Sequence, residues 1–427
     1  MRKYTGERAV DIFQIEGGCR LTGNVRIQGS KNAVLPMMAA ALMQKGTVVL
    51  HHCPRITDVC CMEEILKSTG AGTGWSGDSL SIECRRISTG DIPGAYADKM
   101  RSSVFLLGSL LARFGQVSIS HPGGCTIGRR PIDLHLSVLR ALGAEIVEEG
   151  RELHARAKKL TGCRYRFPRV SVGATENGVM AAVAAEGETC LSNCAREPEV
   201  VHLCRFLRAM GAEIRGEGTG EIWVLGGKYL HPAEFAVPPD RIVAGTYLFA
   251  GAATRGKIEL EQAPAEELEA VLRIYGKMGG QYEVKSGTLI ADGCQIQNPV
   301  PFLKTQGYPG FPTDLQSPLA AVCATLEGTS RICETVFEDR FRAALQLRKM
   351  GADICRQEKV LEIHGRRLLG ARVCAEDLRG GAALVVAGLA AEGSTEVEGL
   401  NYIDRGYEHI EEDIALLGGK IRRLQHT

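Results

Sequence analysis

Residues 320–351 read AAVCATLEGTSRICETVFEDRFRAALQLRKMG. This segment contains the structural unit from which we derive the fold. Residues 320–326 are apolar nearly all round, which predicts a helix inside the protein. Residues 330–333 alternate like a strand, and residues 341–350 have the apolar spacing of an amphipathic helix. A further strand is expected at Val360–His364, so the segment predicts a compact unit of helix, strand, helix and strand.

The same unit recurs six times along the 427 residues. One glycine follows the first helix of each unit, at Gly46, Gly115, Gly187, Gly256, Gly328 and Gly393. A second glycine ends the second helix, at Gly70, Gly143, Gly211, Gly279, Gly351 and Gly418. Glycine is the usual residue where a helix stops. The second set of glycines recurs every 67 to 73 residues. Self-similarity at this spacing indicates a repeat architecture of class α/β, with sheets wrapped around buried helices.

Six units divide naturally into three and three, with the break near residues 237–240. A continuous solenoid of six units is the alternative that the repeat leaves open. No bulk electrostatic field favours nucleic acid or an anionic membrane, because 51 Lys and Arg face 50 Asp and Glu. We expect a cytoplasmic protein, since the start is charged and the longest apolar runs, such as 382–391, are too short to span a membrane.

Fifteen cysteines lack paired C-x-x-C spacing. This argues against both a disulfide framework and a zinc site, and predicts that most of the thiols are reduced and buried. Cys125 is the exception, because it lies in a glycine-rich loop, residues 122–131, beside Arg129 and Arg130. Two arginines favour a thiolate, so Cys125 is the candidate reactive thiol. A buried, inert cysteine is the alternative.

Basic residues stand where first helices of the units begin. A Lys or Arg at a helix N-terminus is unfavourable by about a few tenths of a kcal/mol. Lys31, Arg101 and Arg379 all go against that preference, which an anion bound at these helix ends would explain. The alternative is that each side chain extends into water.

Two loop residues leave two interpretations open. Asp314 is either a helix N-cap or a general base toward a hydroxyl. Arg405 is either part of a surface salt bridge or part of the same anion site.

Six motifs resemble those of the enolpyruvyl transferases. They are GSKNA at 29–33, PGGCTIG at 122–128, FPTD at 311–314, ETVFE at 334–338, DLR at 377–379 and IDRGY at 403–407. The resemblance runs from about Phe13 to the C-terminus, and the cysteine loop is similar to that of the nucleotide-sugar branch rather than the shikimate branch.

The resemblance implies two inside-out α/β, barrel-like domains of three units each. The chain would cross between them twice, near 29–31 and 238–240, with the active site in the cleft. We therefore expect a first domain of residues 30–238, which carries Cys125. The second domain would comprise residues 239–427 with 1–29, and would carry Asp314 and Arg405.

The implied reaction transfers the enolpyruvyl group of phosphoenolpyruvate to the 3-hydroxyl of UDP-N-acetylglucosamine and releases phosphate through a tetrahedral intermediate. This is the first committed step of peptidoglycan synthesis, and so of cell-wall biogenesis, cell shape and division. No metal or organic cofactor is implied, and the expected partners are the two small-molecule substrates. A non-catalytic nucleotide-sugar-binding paralogue and a shikimate-type transferase are the alternatives.

The resemblance also implies residue roles. Cys125 would protonate the methylene carbon, and Asp314 would accept the proton of the hydroxyl. The implied catalytic residues are Cys125, Asp314, Lys31 and Arg405. The implied substrate-binding residues are Lys31, Asn32, Arg101, Arg130, Pro131, Ile132, Asp133, Leu134, Arg169, Ser171, Val172, Gly173, Asp314, Val336, Arg340, Asp377, Arg379 and Arg405.

Five positions depart from the pattern of the family. Arg169 stands where lysine is common, Val243 replaces a glutamate, Asp339 replaces an asparagine and Arg342-Ala343 replaces a Met-His pair. None of these changes removes an implied catalytic residue, and they leave open whether the chain is the main enzyme or a second, specialised paralogue.

Overall fold

The structure is a computed structural model that describes residues 11–97, 100–121 and 131–425. The named strands of these residues form six sheets of four strands each. Every sheet has the same pattern, in which a parallel pair is followed by two antiparallel pairs. The second set of three sheets repeats it. One sheet therefore corresponds to each predicted unit.

Three sheets belong to the first half of the chain. In spatial order their strands are Glu234–Ala236, Thr47–His51, Ser79–Glu83 and Gly72–Ser76; then Asp91–Ile92, Gln116–Ser120, Glu152–Arg156 and Glu145–Glu149; then Arg164–Arg166, Glu188–Ser192, Glu221–Leu225 and Glu213–Arg215.

The other three sheets use the second half of the chain and its first strands. In spatial order they are Gln281–Lys285, Thr288–Asp292, Lys257–Glu261 and Thr22–Arg26; then Leu303–Lys304, Thr329–Cys333, Val360–His364 and Asp353–Gln357; then Arg372–Cys374, Ser394–Glu398, Asp11–Glu16 and Lys420–Gln425.

Each unit has an inner and an outer helix. The inner helices are Lys31–Ala41, Leu106–Phe114, Val172–Ala184, Arg241–Ala253, Gln316–Cys323 and Leu378–Ala390. The outer helices are Thr57–Ser68, Asp133–Ala141, Pro198–Ala209, Glu269–Lys277, Arg342–Lys349 and Ile410–Leu416. Short α-helices span Gly94–Ala97 and Leu400–Ile403, and 3-10 helices span Arg101–Phe105, Ala265–Leu268 and Thr313–Leu315.

The burial of the inner helices confirms the prediction that the sheets surround them. All 13 residues of Arg241–Ala253 are buried, whereas the outer helix Glu269–Lys277 buries one apolar face. The six glycines predicted to end the outer helices all have a positive φ, between 80° and 107°. Only glycine adopts this conformation without strain, so the repeated glycine is a backbone requirement.

Two separate hydrophobic cores divide the molecule. One core contains buried residues from Ala33 to Val237. The other combines residues 13–27 with residues 242–421. We call the parts around these cores the first and second domains.

The chain passes between the domains at two adjacent places. Gly29 and Pro239 form an antiparallel bridge. Beside it, the Ser30 amide donates to the Pro238 carbonyl at 2.7 Å, and the Asp240 amide donates to the Gln28 carbonyl at 2.8 Å. These bonds hold the two crossing segments together where they pass between the domains.

The cysteines are less buried than the sequence predicts. The fourteen in the described residues are all free thiols, as expected, but only six of them are buried. Cys60, Cys294 and Cys355 are exposed. Across the described ranges, every helix is too short or too polar to cross a membrane.

Candidate active site

Asp314 lies at the start of an inner helix in the second domain, within the 3-10 turn Thr313–Leu315. Two buried arginines hold its carboxylate: Arg340 Nη2 lies 2.7 Å from Oδ1, and Arg379 Nη2 lies 3.3 Å from Oδ2. A quarter of the Asp314 side chain stays exposed. The carboxylate is therefore oriented by cations and still open to the cleft, as a general base toward a hydroxyl must be.

Arg379 is fixed by its own surroundings. Its backbone amide donates to Oδ1 of Asp377, the N-cap of the helix Leu378–Ala390, at 3.0 Å. Its guanidinium donates to the Tyr407 hydroxyl at 3.3 Å. Burial raises the pKa of Tyr407, so this phenol stays neutral. Asp377 and Arg379, both predicted to bind substrate, are thus positioned by one helix start.

Arg340 and Val336 lie on the segment that follows the strand Thr329–Cys333. Arg340 is buried, and its Nη1 donates to the Thr313 hydroxyl at 3.1 Å. Glu334 anchors the same segment, because its carboxylate accepts from the Val336 amide at 2.7 Å and from the Thr313 hydroxyl at 2.8 Å. Val336 is 46% exposed, which is unusual for valine and leaves it available to a ligand.

Lys31 and Arg405 meet at a carboxylate that the sequence did not identify. Lys31 Nζ lies 2.7 Å from Asp58 Oδ2. Arg405 Nε donates to Asp58 Oδ1 at 2.9 Å, and Nη2 donates to Oδ2 at 3.2 Å. Lys31 and Asp58 belong to the first domain and Arg405 to the second, so this cluster spans the cleft.

The charges of this cluster depend on one another. Burial alone would raise the pKa of Asp58, but Lys31 and Arg405 outweigh burial and lower it. Burial lowers the pKa of Lys31, and Arg379 and Arg405 lower it further, while Asp58 opposes the change. Asp58 therefore opposes the loss of the Lys31 proton, which burial and the two arginines favour.

One side of the candidate site, which contains the predicted substrate-binding residues Asp133, Arg169 and Ser171, is built from two neighbouring helix starts. Arg169 Nη2 lies 2.7 Å from Oδ1 of Asp133, the first residue of Asp133–Ala141. Ser171 is the N-cap of Val172–Ala184 and accepts from the Ala174 amide. A Cβ on Gly173 would lie 3.0 Å from the His135 ring, so a larger residue there would require the ring to shift by a few tenths of an ångström.

A buried hydrogen-bond network supports this side. The Asn177 side chain accepts from the Gly108 amide at 2.8 Å, and its Nδ2 lies 2.7 Å from His135 Nδ1. Burial lowers the pKa of His135 to about 3, so the imidazole is neutral. The network ties the helix that follows Arg101 to the helix that starts at Asp133.

The remaining predicted residues have simpler surroundings. Asn32 follows Lys31 in the first turn of its helix, and Arg101 opens a 3-10 helix. Ile132 and Leu134 are buried, whereas Pro131 is exposed. Cys125, Arg129 and Arg130 lie outside the described residues, so their predicted roles stay predictions.

The departures from the family pattern form ordinary contacts. Val243 is fully buried in the second core. Asp339 Oδ1 lies 2.9 Å from Arg356 Nη1, and its Oδ2 lies 3.4 Å from Arg342 Nε. Asp339 is thus part of a surface ion network at the edge of the Val336 segment.

Sequence reasoning missed Asp58 for a definite reason. Asp58 is the second residue of the helix Thr57–Ser68, where an acidic side chain is common. Nothing in the local pattern distinguishes this aspartate from an ordinary helix start. Its partners are separated from it by 27 residues for Lys31 and by 347 for Arg405.

Known proteins resemble this chain over nearly its whole length. Residues 15–414 match the family described as EPSP synthase (3-phosphoshikimate 1-carboxyvinyltransferase). UDP-N-acetylglucosamine 1-carboxyvinyltransferase 2 of Caldanaerobacter subterraneus is 45% identical over 96% of this chain and 99% of its own length. UDP-N-acetylglucosamine 1-carboxyvinyltransferase 1 of Symbiobacterium thermophilum is 44% identical over 96% of this chain and 95% of its own.

Solved structures share the fold. The enolpyruvyl transferase NikO of Streptomyces tendae superimposes with a TM-score of 0.88 at 24% identity, over 98% of this chain and 100% of its own. EPSP synthase of Acinetobacter baumannii gives 0.74 at 21% identity, over 97% and 100%. At these identities the likeness concerns the fold alone, whereas the sequence relatives at 44–45% identity are far closer. The chain therefore belongs to the enolpyruvyl transferase family.

Proposed function

We propose that this chain transfers the enolpyruvyl group of phosphoenolpyruvate to the 3-hydroxyl of UDP-N-acetylglucosamine and releases phosphate. The observation that carries the proposal is the convergence of Lys31, Arg405, Arg379 and Arg340 around two carboxylates at the cleft. A small, highly charged anion needs several fixed cations to compete with water. The full-length relatives named UDP-N-acetylglucosamine 1-carboxyvinyltransferase support this choice of acceptor.

Each proton of the reaction has a proposed carrier. Cys125 protonates the methylene carbon of phosphoenolpyruvate, which makes the adjacent carbon electrophilic. The sugar hydroxyl then forms a bond to that carbon, and its proton passes to Asp314. In the second half, a methyl proton returns to the Cys125 thiolate and the bond to the phosphate oxygen breaks, which restores the double bond, and the departing phosphate takes the proton from Asp314.

The surrounding residues position the substrates. Lys31, Arg130 and Arg405 would bind the phosphate and carboxylate of phosphoenolpyruvate, and Asn32 would add a neutral donor. The nucleotide would lie along the segments 130–134 and 169–173. Arg101 and Val336 would border the sugar, and Asp377 and Arg379 would form the opposite wall.

A phosphate-release assay tests the proposal. The protein should release inorganic phosphate only when phosphoenolpyruvate and UDP-N-acetylglucosamine are both present. Release with shikimate 3-phosphate in place of the nucleotide sugar would assign the chain to the shikimate branch. Tight nucleotide-sugar binding without any release would identify a binding paralogue.

The proposal includes a domain division and a location. We propose that residues 30–238 and residues 239–427 with 1–29 move as two bodies about the crossing at Gly29 and Pro239. We also propose that the enzyme acts in the cytoplasm, as part of peptidoglycan synthesis.

A further inference from the structure

The guanidinium nitrogens with which Arg405 would bind a substrate donate to the carboxylate of Asp58. Nε and Nη2 of Arg405 approach the two oxygens of Asp58 at 2.9 and 3.2 Å. This bidentate geometry is the one in which a guanidinium binds a carboxylate or a phosphate. Arg405 cannot present the same edge to phosphoenolpyruvate while it remains on Asp58.

The contact joins the two domains. Asp58 is almost completely buried at the start of the helix Thr57–Ser68, in the first domain. The Thr57 amide donates to the carbonyl of Asp404 at 2.9 Å, which fixes the helix start against the segment that carries Arg405. The ion pair is therefore held in place by a neighbouring backbone bond between the domains.

Lys31 depends on the same carboxylate. Among the described residues, the charged groups that face Lys31 are Asp58, Arg379, Arg405 and Asp240. Asp240 is an N-cap whose oxygens accept from the backbone amides of Lys31, Ile242 and Val243. Asp58 is the carboxylate that touches the Lys31 ammonium.

We propose that Asp58 is a placeholder for the substrate anion: it releases Arg405 to the phosphate or carboxylate of phosphoenolpyruvate, and it stays on Lys31 as a positioning residue. This inference rests on the proposed function. Before substrate binds, the placeholder prevents buried Lys31 and half-buried Arg405 from repelling each other. When substrate binds, one anion replaces another, so the site avoids an uncompensated buried charge at both stages.

Titration calorimetry with inorganic phosphate, in the presence of UDP-N-acetylglucosamine, tests the exchange. The variant Asp58→Asn should bind phosphate about tenfold more tightly than the wild type at about pH 6, because the competing carboxylate is gone. That advantage should be smaller at about pH 9, since Lys31 without Asp58 loses its proton more readily. Comparison at each pH cancels the ionisation of phosphate itself.

Asp404→Asn is the matched control. Asp404 neighbours Arg405 but pairs with Arg423, at 2.6 Å, so its removal should leave phosphate affinity unchanged at both pH values. A misfolded variant cannot bind more tightly, so a gain in Asp58→Asn supports the exchange. Equal or weaker binding by Asp58→Asn at the lower pH overturns it.

A crystal structure of the wild type with phosphate and UDP-N-acetylglucosamine gives an independent measurement. Arg405 should turn from Asp58 to the phosphate while Lys31 keeps both partners. An unchanged bidentate pair beside bound phosphate overturns the exchange.

If the wild type turns over phosphoenolpyruvate and Asp58→Asn shows no gain, only the exchange fails. If the gain appears in a chain without turnover, the exchange holds and the proposed substrates are wrong.

Discussion

Two aspartates at the cleft are each held by two cations, yet their surroundings differ. Asp314, in the second domain, is clamped by Arg340 and Arg379, and 25% of its side chain is exposed. Asp58, in the first domain, is clamped by Lys31 and Arg405, and 5% of its side chain is exposed. Asp314 can therefore reach a substrate hydroxyl, whereas Asp58 can act only by changing partners.

The comparison shows that a carboxylate flanked by cations does not have one fixed role. The cations of Asp314 come from its own domain, so its orientation does not depend on domain closure. Those of Asp58 come from both domains, so its contacts depend on how the domains are placed. Exposure and the origin of the partners, rather than residue type, separate the two roles.

The largest expected effect tests the exposed member of the pair. Asp314→Asn removes the proton acceptor and should lower turnover by about 10²–10⁴-fold, the usual scale of general-base catalysis. Binding of UDP-N-acetylglucosamine should persist, since the amide keeps the size of the side chain. Phosphate release and calorimetry measure the two properties.

Asp339→Asn is the control for this change. Asp339 also pairs with two arginines, but it lies in a surface network, so its variant should keep near-normal turnover. Near-normal turnover in Asp314→Asn would show that Asp314 is not the proton acceptor.

The next prediction concerns Cys125, the proposed proton donor of the reaction in which Asp314 accepts a proton. Cys125→Ser should lower turnover by about 10²-fold, whereas Cys125→Asp, which keeps a titratable acid, should retain activity. A small anionic epoxide should alkylate Cys125 selectively, because burial raises the pKa of competing thiols such as Cys84 and Cys194.

Peptide mapping decides the outcome. Label spread over Cys60, Cys294 and Cys355 would mean that the loop cysteine is not specially reactive. Full activity in Cys125→Ser would remove it from the mechanism.

A smaller effect should follow from loosening the clamp on Asp314. Arg340→Lys replaces a planar fork, which reaches both Asp314 and Thr313, with a single ammonium. We expect kcat/KM to fall about tenfold, with little change in thermal stability, because the charge is retained. Arg356→Lys, at the surface on Asp339, is the matched control. An equal loss in both variants would argue against a specific role for Arg340.

The smallest expected effect concerns Asp413, a carboxyl whose hydrogen-bond partner is a tyrosine instead of the cations that hold Asp58. The Tyr247 hydroxyl donates a hydrogen bond to the carboxylate of Asp413. Burial raises the pKa of Asp413 to about 6, whereas the pKa of Asp58 is lowered. A raised folded-state pKa gives stability at low pH that is lost as the pH rises through about 6. Asp413→Asn should abolish this loss, which we expect to be about 1 kcal/mol after solvent screening.

Thermal unfolding of both proteins at about pH 4 and about pH 7 measures this difference. Identical pH dependence in the wild type and Asp413→Asn would show that burial without a cation does not set the pKa of this carboxyl.

The sequence was sufficient for the architecture because its signals are local. The glycine after each outer helix marks a backbone conformation that other residues avoid, and Gly351 and its five equivalents all show it. The strand expected at Val360–His364 has those bounds in the structure. The second core also follows the predicted three-and-three division, since it joins residues 13–27 to residues 242–421.

The sequence also indicated Asp314 and Arg379, because a motif or an unfavourable helix position distinguishes them. It could not show that the two residues touch, nor that Arg340 completes the clamp. The predicted burial of most cysteines was wrong, since packing rather than residue type determines exposure.

Local patterns in the chain thus determined six repeated units, buried inner helices and a set of candidate anion-binding residues. Which charged side chains form ion pairs with one another depends on the tertiary structure. Asp58 has an unremarkable place in its own helix, and its function arises from Lys31 and from Arg405, which is 347 residues away. Helix ends and turns depend on near neighbours, whereas ion pairs across a cleft depend on how two domains fold and dock, which no short stretch of sequence records.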